Sequence, residues 1–334
     1  MTPDSSTRPF LCWAAQTILV RGAGTFATLV AIALLAASLA GCGADFDPPT
    51  RLSKLRLLAL QAAPVNPAAG ETTTITPLVY SPSDAALEFA WSWCPVLGQA
   101  NDGYVCPISH DDASAMLAAA GVTSSLPDFD LGAGPTASFT NPFPPDALAA
   151  LCGAGFDGQP VDCKNGFPIR LSVRVTQGTA VQLGTTVIGL PIAAGAPSNA
   201  NPTPGGLTID LPSGTQALDD AGGVQVPRVQ ESLLHVAVDD GQAETYLGPG
   251  LDGGAATLRE TLLFSWFSEL GDFDNRRTLF IDGSNSLADA SADKWTPPAT
   301  RVDDHPTSRL IVVVRDDRGG VGWTTATAAL EPTP

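Results

Sequence analysis

Leu87-Glu88-Phe89-Ala90-Trp91-Ser92-Trp93 decides the fold. The large apolar side chains take the odd positions, and Glu88, Ala90 and Ser92 take the even ones. Successive side chains leave a pleated strand on opposite sides, so this period of two predicts a β-strand with one buried face. Ile169, Leu171, Val173 and Val175 repeat the pattern against Arg170, Ser172, Arg174 and Thr176. A Gln177-Gly178 turn then returns the chain through Val181–Leu190 as a hairpin partner. Upstream, Leu55–Leu60 and the β-branched Thr72–Tyr80 read as strands. Pro77 lacks a donor N–H, which predicts an edge or bulged position.

The same pattern recurs after residues 193–206, a run of small, Pro and Asn residues that reads as a linker. Leu207–Leu211 is a strand, and Leu233–Val238 alternates up to the turn Asp239-Asp240-Gly241. Thr261–Ser268 places Trp266 in a strand. Arg309–Val314 reads as a buried strand, followed by a tight turn, Arg315-Asp316-Asp317-Arg318-Gly319-Gly320, and the closing strand Val321–Ala328. Many short strands, Pro- and Gly-rich turns and a Trp strand in each half predict an all-β chain of two tandem β-sandwiches.

On these residues both halves resemble bacterial immunoglobulin-like domains, close to the PKD type. Lys294-Trp295-Thr296-Pro297-Pro298 and the run Arg309–Gly320 with its DxxGG turn carry the likeness. The whole chain resembles tandem-domain lipoproteins of myxobacteria and their relatives, and this implies a fold and an anchor but no chemistry. The expected domains are 52–192, with an insertion at 94–166, and 207–334, joined by 193–206. Within the insertion, Asp111–Ala120 predicts a helix capped by its aspartates and stopped at Gly121, and Pro145–Cys152 predicts another.

The insertion holds Cys94, Cys106, Cys152 and Cys163. Outside the cytoplasm an even cysteine count reads as disulfides. Three pairings are open. The local one, Cys94–Cys106 with Cys152–Cys163, closes two short loops and is expected, at roughly 2–3 kcal/mol each. The rival is zinc, but the chain has no CxxC pair and only His110 lies nearby.

Residues 1–41 carry Arg8 and Arg21 and then an uncharged apolar run, GAGTFATLVAIALLAASLA, over residues 22–40. Leu39-Ala40-Gly41-Cys42 resembles the lipobox of bacterial lipoprotein precursors, making 1–41 an export signal. Cys42 would be the acylated first residue of the mature chain, and 42–51 a lipidated tether. A plain transmembrane anchor is the competing reading. Gly43, rather than Asp, after Cys42 points to the outer membrane of the cell envelope.

Without residues 1–41 the chain has 15 basic and 33 acidic side chains. Such a body repels phosphate backbones, which excludes nucleic-acid binding. Partners expected are the membrane, through the lipid, and an envelope protein or glycan. The chain has no GxSxG, HExxH, phosphate-binding loop or EF-hand pattern, so no catalytic residue is assigned. His235 falls within a strand, His305 in a Pro-flanked loop and His110 before a helix start. Asp272, Asp274 and Asp282 are the candidates for calcium, the only cofactor considered; turn-solvating aspartates are the plainer reading. Trp91, Trp93, Trp266, Trp295 and Trp323 could stack on sugars, but sandwich cores more often hold such side chains. Arg315 and Arg318 read as weak turn salt bridges to Asp316 and Asp317. Together these features predict a non-enzymatic, lipid-anchored envelope protein for adhesion, recognition or scaffolding. The alternative is a periplasmic ligand-binding or assembly factor, with a hydrolase behind it.

Overall fold

A computed structural model describes residues 48–97, 105–119, 122, 125–154, 161–195, 199–249, 254–299 and 306–332. Residues 1–47, with Cys42 and the expected export signal, and His305 lie outside them. Residues 48–334 form one compact unit. Among the described residues no helix is long and apolar enough to cross a membrane.

The first sandwich has seven strands: β1 (Arg56–Ala63), β2 (Thr72–Tyr80), β3 (Glu88–Cys94), β4 (Asp130–Gly132), β5 (Ala137–Thr140), β6 (Phe167–Gln177) and β7 (Ala180–Leu190). One sheet runs β1-β2-β5 and the other β4-β3-β6-β7. This is the Greek-key strand order of an immunoglobulin-like sandwich, with the Trp strand third. Trp91 stands opposite Val173, and Trp93 opposite Leu171. Both indoles point inward and are at most 2% exposed, packing with Leu60, Ile75 and Phe139 of the other sheet. Their N–H groups donate to Gly134 O (2.8 Å) and Asp128 O (2.7 Å), so the aromatic bodies are buried without an orphaned donor. Pro77 pairs with Leu60 of β1, while β5 covers β2 only over Thr72–Ile75. The strand is central, yet Pro77 sits where it has a single neighbour, as its missing donor requires.

Two expectations change here. The segment 94–166 is not purely an insertion, because β4 and β5 within it are sandwich strands. They are three and four residues long, too short to display a period. The two helices are α1 (His110–Ala119) and α2 (Pro145–Ala154). Ser109, not an aspartate, caps α1: its Oγ accepts from Asp112 N at 3.1 Å and donates to Asp112 Oδ2 at 2.6 Å. The local disulfides, Cys94–Cys106 and Cys152–Cys163, are both formed.

The second sandwich contains β8 (Leu207–Leu211), β9 (Gly214–Leu218), β10 (Gln225–Val226), β11 (Ser232–Val236), β14 (Leu262–Ser268), β15 (Asp272–Phe273), β16 (Arg277–Phe280), β17 (Ala292–Thr296), β18 (Thr307–Asp316) and β19 (Val321–Leu330). A side hairpin, β12 (Thr245–Pro249) with β13 (Ala255–Arg259), was not legible in the sequence. Neither was α3 (Leu287–Ala290). The sheets run β10-β19-β18-β14-β16 and β15-β17-β11-β8-β9. Trp266 and Trp295 are fully buried between them.

The two sandwiches share a third apolar cluster. Leu58, Ala59 and Tyr80 of the first pack with Ile311, Val313 and Val321 of the second. Polar contacts line its margin: Arg315 Nη2 donates to Leu58 O (2.6 Å), and Tyr80 Oη to Glu269 Oε1 (3.0 Å). Leu52 is 2% exposed in this cluster, and Arg51, expected in the tether, bridges to Ser268. Residues 50–52 therefore pack onto the body, with Thr50 O accepting from Ser268 N, because burying Leu52 removes apolar surface from water. Residues 199–206, expected as linker, are also built in. Asn199 is 3% exposed and donates to Asp316 Oδ2 (3.0 Å). Asn201 donates to Ala62 O (2.8 Å) in one sandwich and accepts from Val321 N (2.8 Å) in the other.

Candidate functional site

A cleft of about 510 Å3 opens on the outer face of β3, β4, β6 and β7. Strand pleat builds its floor. Residues that alternate with the buried Trp91, Trp93, Leu171 and Val173 must face outward, so Ala90, Ser92, Arg170, Ser172 and Arg174 lie on the far side. Register aligns them in rows: Ser92–Ser172–Thr185, then Ala90–Arg174–Leu183, then Cys94–Arg170–Val187. Asp130 of β4 extends the serine row and its Oδ1 accepts from Gly132 N (2.8 Å).

Val105 and Cys106 stand at one side, tied to β3 by the Cys94–Cys106 bridge. Arg170, only 5% exposed, holds the chain beside both cysteines. Its Nη1 donates to Leu97 O (2.8 Å) and its Nη2 to Val105 O (2.7 Å). Its Nε has no acceptor, and among the described residues no carboxylate pairs with it. Phe129 supports another side, edge-on to His110 at 5.4 Å and to Trp93 at 5.3 Å. His110 Nε2 meets Leu126 O at 3.1 Å, which makes it a packing residue of this wall. Arg174 is exposed and without a polar partner among the described residues.

The residues singled out in the sequence do not converge here. His235 meets Asp210 Oδ2 at 3.1 Å on the second sandwich. The hydroxyl of Thr215 and His235 together hold the Asp210 carboxyl below its usual range. The calcium candidates are held separately: Asp272 by Arg51 (2.9 Å) and Asp282 by Arg259 (3.5 Å), while Asp274 N donates to Lys294 O. Among the described residues no three His, Cys, Asp or Glu side chains group to hold a metal ion. Trp91, Trp93, Trp266 and Trp295 are core rather than stacking platforms, and Trp323 is partly buried at the junction.

Arg315 and Arg318 also depart from expectation. Neither bridges its neighbouring aspartate. Arg318 pairs with the fully buried Glu260 (3.1 Å) and with Glu244 (3.6 Å), and it lies 4.7 Å over the Tyr246 ring. Asp316 instead folds the turn, accepting from Arg318 N (2.8 Å) and Gly320 N (2.7 Å). A Cβ on Gly320 would lie 2.1 Å from Asp316 Oδ2, so only glycine closes this turn.

Sequence reading missed Arg170 and Arg174 as site residues. Their signal was present as two arginines on the polar side of a strand in a chain with only 17 basic residues. What was absent was the approach of Leu97 and Val105 to Arg170 from a distant part of the chain.

No family model and no curated protein matches the chain. Solved structures that align with it include three N-terminal domains of the outer capsid protein Hoc of bacteriophage RB49, at 11% identity and a TM-score of 0.20, covering 82% of this chain and 59% of that one. The N-terminal eight immunoglobulin domains of Down syndrome cell adhesion molecule align at 10% identity and 0.19, covering 84% and 25%. A chimeric titin Z1Z2 tandem aligns at 14% and 0.22, covering 83% and 100%. The chain thus spans about three fifths of the first of these structures and a quarter of the second. TM-scores this low carry no argument about the arrangement of the whole chain, so the immunoglobulin-like assignment rests on strand order and register.

Proposed function

We propose that this chain is a non-enzymatic, lipid-anchored protein of the cell envelope whose work is recognition. The observation that carries this reading is the cleft on the first sandwich. It is a concave, mostly apolar surface with a few convergent polar groups, held in part by a disulfide and by Arg170. Two structural disulfides suit an oxidising compartment outside the cytoplasm. Cys42 in its lipobox-like setting supplies the anchor, and the packing of residues 50–52 leaves a short reach between lipid and body.

The test is mass spectrometry of the mature N-terminus with protease shaving of intact cells. The expected result is a diacylglyceryl-modified Cys42 that the Cys42→Ser variant lacks, with the variant failing to be processed. An unmodified Cys42 with residues 1–41 retained would remove the anchor. Digestion of the body in intact cells places recognition at the surface. Protection places it in the periplasm, where the ligand-binding or assembly role replaces adhesion.

A further inference from the structure

Where the two sandwiches are tied together, three acids face one arginine. Glu260, wholly buried between β13 and β14, accepts from Arg318 Nη1 (3.1 Å) and from Glu244 N (3.1 Å). Glu244 Oε2 stands 3.6 Å from the same guanidinium, and the buried Asp316 lies beside Glu260 at the end of β18. Among the described residues no second cation bonds to these acids. Outside the described residues, 48–334 has only Arg301 and His305 as basic side chains; both precede β18, whereas Asp316 ends it. The Tyr246 ring lies 4.7 Å from Arg318, and Asp317 Oδ1 accepts from Thr261 N (3.2 Å). Lys164 of the first sandwich lines a cleft with Arg318 but is bonded to Asp162 (3.7 Å).

Each acid beside Glu260 also holds a segment that reaches the first sandwich. Asp316 Oδ2 accepts from Asn199 Nδ2, and Asn199 N donates to Asn66 Oδ1 (3.2 Å). Glu244 Oε2 accepts from Ala200 N (3.3 Å), and Asp317 O from Asn165 Nδ2 (3.2 Å). Asn201 follows, joining Ala62 O to Val321 N. The turn Asp316–Gly320 stands between two clefts of about 220 Å3, one lined by Gly319 and Gly320 and the other by Arg318, so it has room to shift and water has a way in. We propose that this cluster is a clasp worked by pH, in which a proton on Glu260 lets the turn hold residues 199–201 against the first sandwich and loss of that proton loosens them. Asp316 accepts from Asn199 Nδ2, Arg318 N and Gly320 N, which favour its charged form, so the proton falls to Glu260. Burial, then Asp316, raises Glu260 to about 7, and opening returns it to water, where it titrates at about 4.5. Between those values the closed clasp keeps a proton that the open one gives to solvent. The clasp is therefore tightest in acid, weakens as pH rises from about 4.5 to about 7, and changes no further above. An ionised Glu260 in the closed clasp would be one more buried carboxylate on a guanidinium that already faces Glu244, and a buried charge without a full partner is costly.

The test is amide hydrogen exchange of the full chain from pH 5 to pH 7, resolved to single residues by mass spectrometry, with Glu260→Gln at each pH as the reference that cancels the base catalysis of exchange itself. The reporters are Asn199 N–H and Val321 N–H, which donate within the clasp, and the comparison is Ala329 N–H, which donates to Val224 O at the other end of β19. Protection of the two reporters, relative to Glu260→Gln, is expected to fall at least tenfold across this range, while Ala329 keeps its protection. His235→Gln, which alters another ionisable group of the second sandwich, is expected to leave the fall unchanged. Asp316→Asn removes the neighbouring charge and keeps an acceptor for Arg318 N and Gly320 N, and it is expected to lessen the fall with the fold intact by circular dichroism. An equal fall at Ala329 would mean that Glu260 governs unfolding of the whole sandwich, and the clasp is overturned. The same profile in Glu260→Gln and the unmodified chain, or an undiminished fall in Asp316→Asn, overturns it as well.

Discussion

Glu260 is wholly buried beside Asp316, and burial followed by that neighbour raises its carboxyl to about pH 7. In the unfolded chain the same group titrates at about 4.5. The folded protein therefore holds a proton that the unfolded chain has released across the window from about 4.5 to about 7. Stability contributed by this group is complete below the window and is lost as pH rises through it. Thermal unfolding from pH 5 to 7.5 is expected to show a falling transition temperature. The fall should be smaller in Glu260→Gln, whose side chain carries no proton to lose. An identical slope in both proteins would count against the assignment. Burial likewise raises the Asp316 and Asp293 carboxyls against the hydrogen bonds they accept, so the difference between the two proteins is the informative quantity. The same residues explain a misreading. Arg318 beside Asp317 looks like a surface turn pair in the sequence, but its guanidinium is 11% exposed and turned toward Glu260. Which acid an arginine meets is decided by the strand that arrives next to it.

Among the elements, the loop closed by Cys94–Cys106 matters most to the site. Cys94 ends β3 and is 2% exposed, so the bridge ties the cleft wall directly to the sheet. Replacing both cysteines by alanine is expected to cost about 3 kcal/mol by release of loop entropy. A urea titration should show the midpoint falling accordingly, and an unchanged midpoint would mean the loop is held by Arg170 alone. The period of two located β3 and β6 within two residues, because each is long and alternates apolar with polar side chains. It could not locate β4, β5, β10 or β15, which span two to four residues and pair through backbone groups common to every sequence. β18 shows a third case. Leu310, Ile311, Val312, Val313 and Val314 are all buried, with no polar alternation. Leu310, Val312 and Val314 enter the core of their own sandwich, while Ile311 and Val313 face the other one.

At the scale of the whole molecule, that second face of β18 makes residues 48–334 one unit rather than two beads. Ile311 is 1% exposed at the junction. Ile311→Asp would place a charge there without a partner, a change expected to weaken the junction by several kcal/mol. Calorimetry should show one transition in the natural chain and two in the variant, and small-angle scattering should show an extended variant. One compact transition in both would mean that the polar margin holds the halves without the apolar centre. By itself the sequence determined the all-β class, the Trp strands, the hairpins and the tight Asp316–Gly320 turn, because hydrophobic period and turn chemistry act over a few neighbouring residues. It also supplied the local disulfides as the preferred pairing, since short loops close at the smallest entropic cost. Only the tertiary structure decided that residues 199–206 and Leu52 are packed, that Glu260 receives Arg318, and that Arg170 and Arg174 lie on a walled floor. Each of these depends on contacts between segments distant along the chain, which no local pattern encodes.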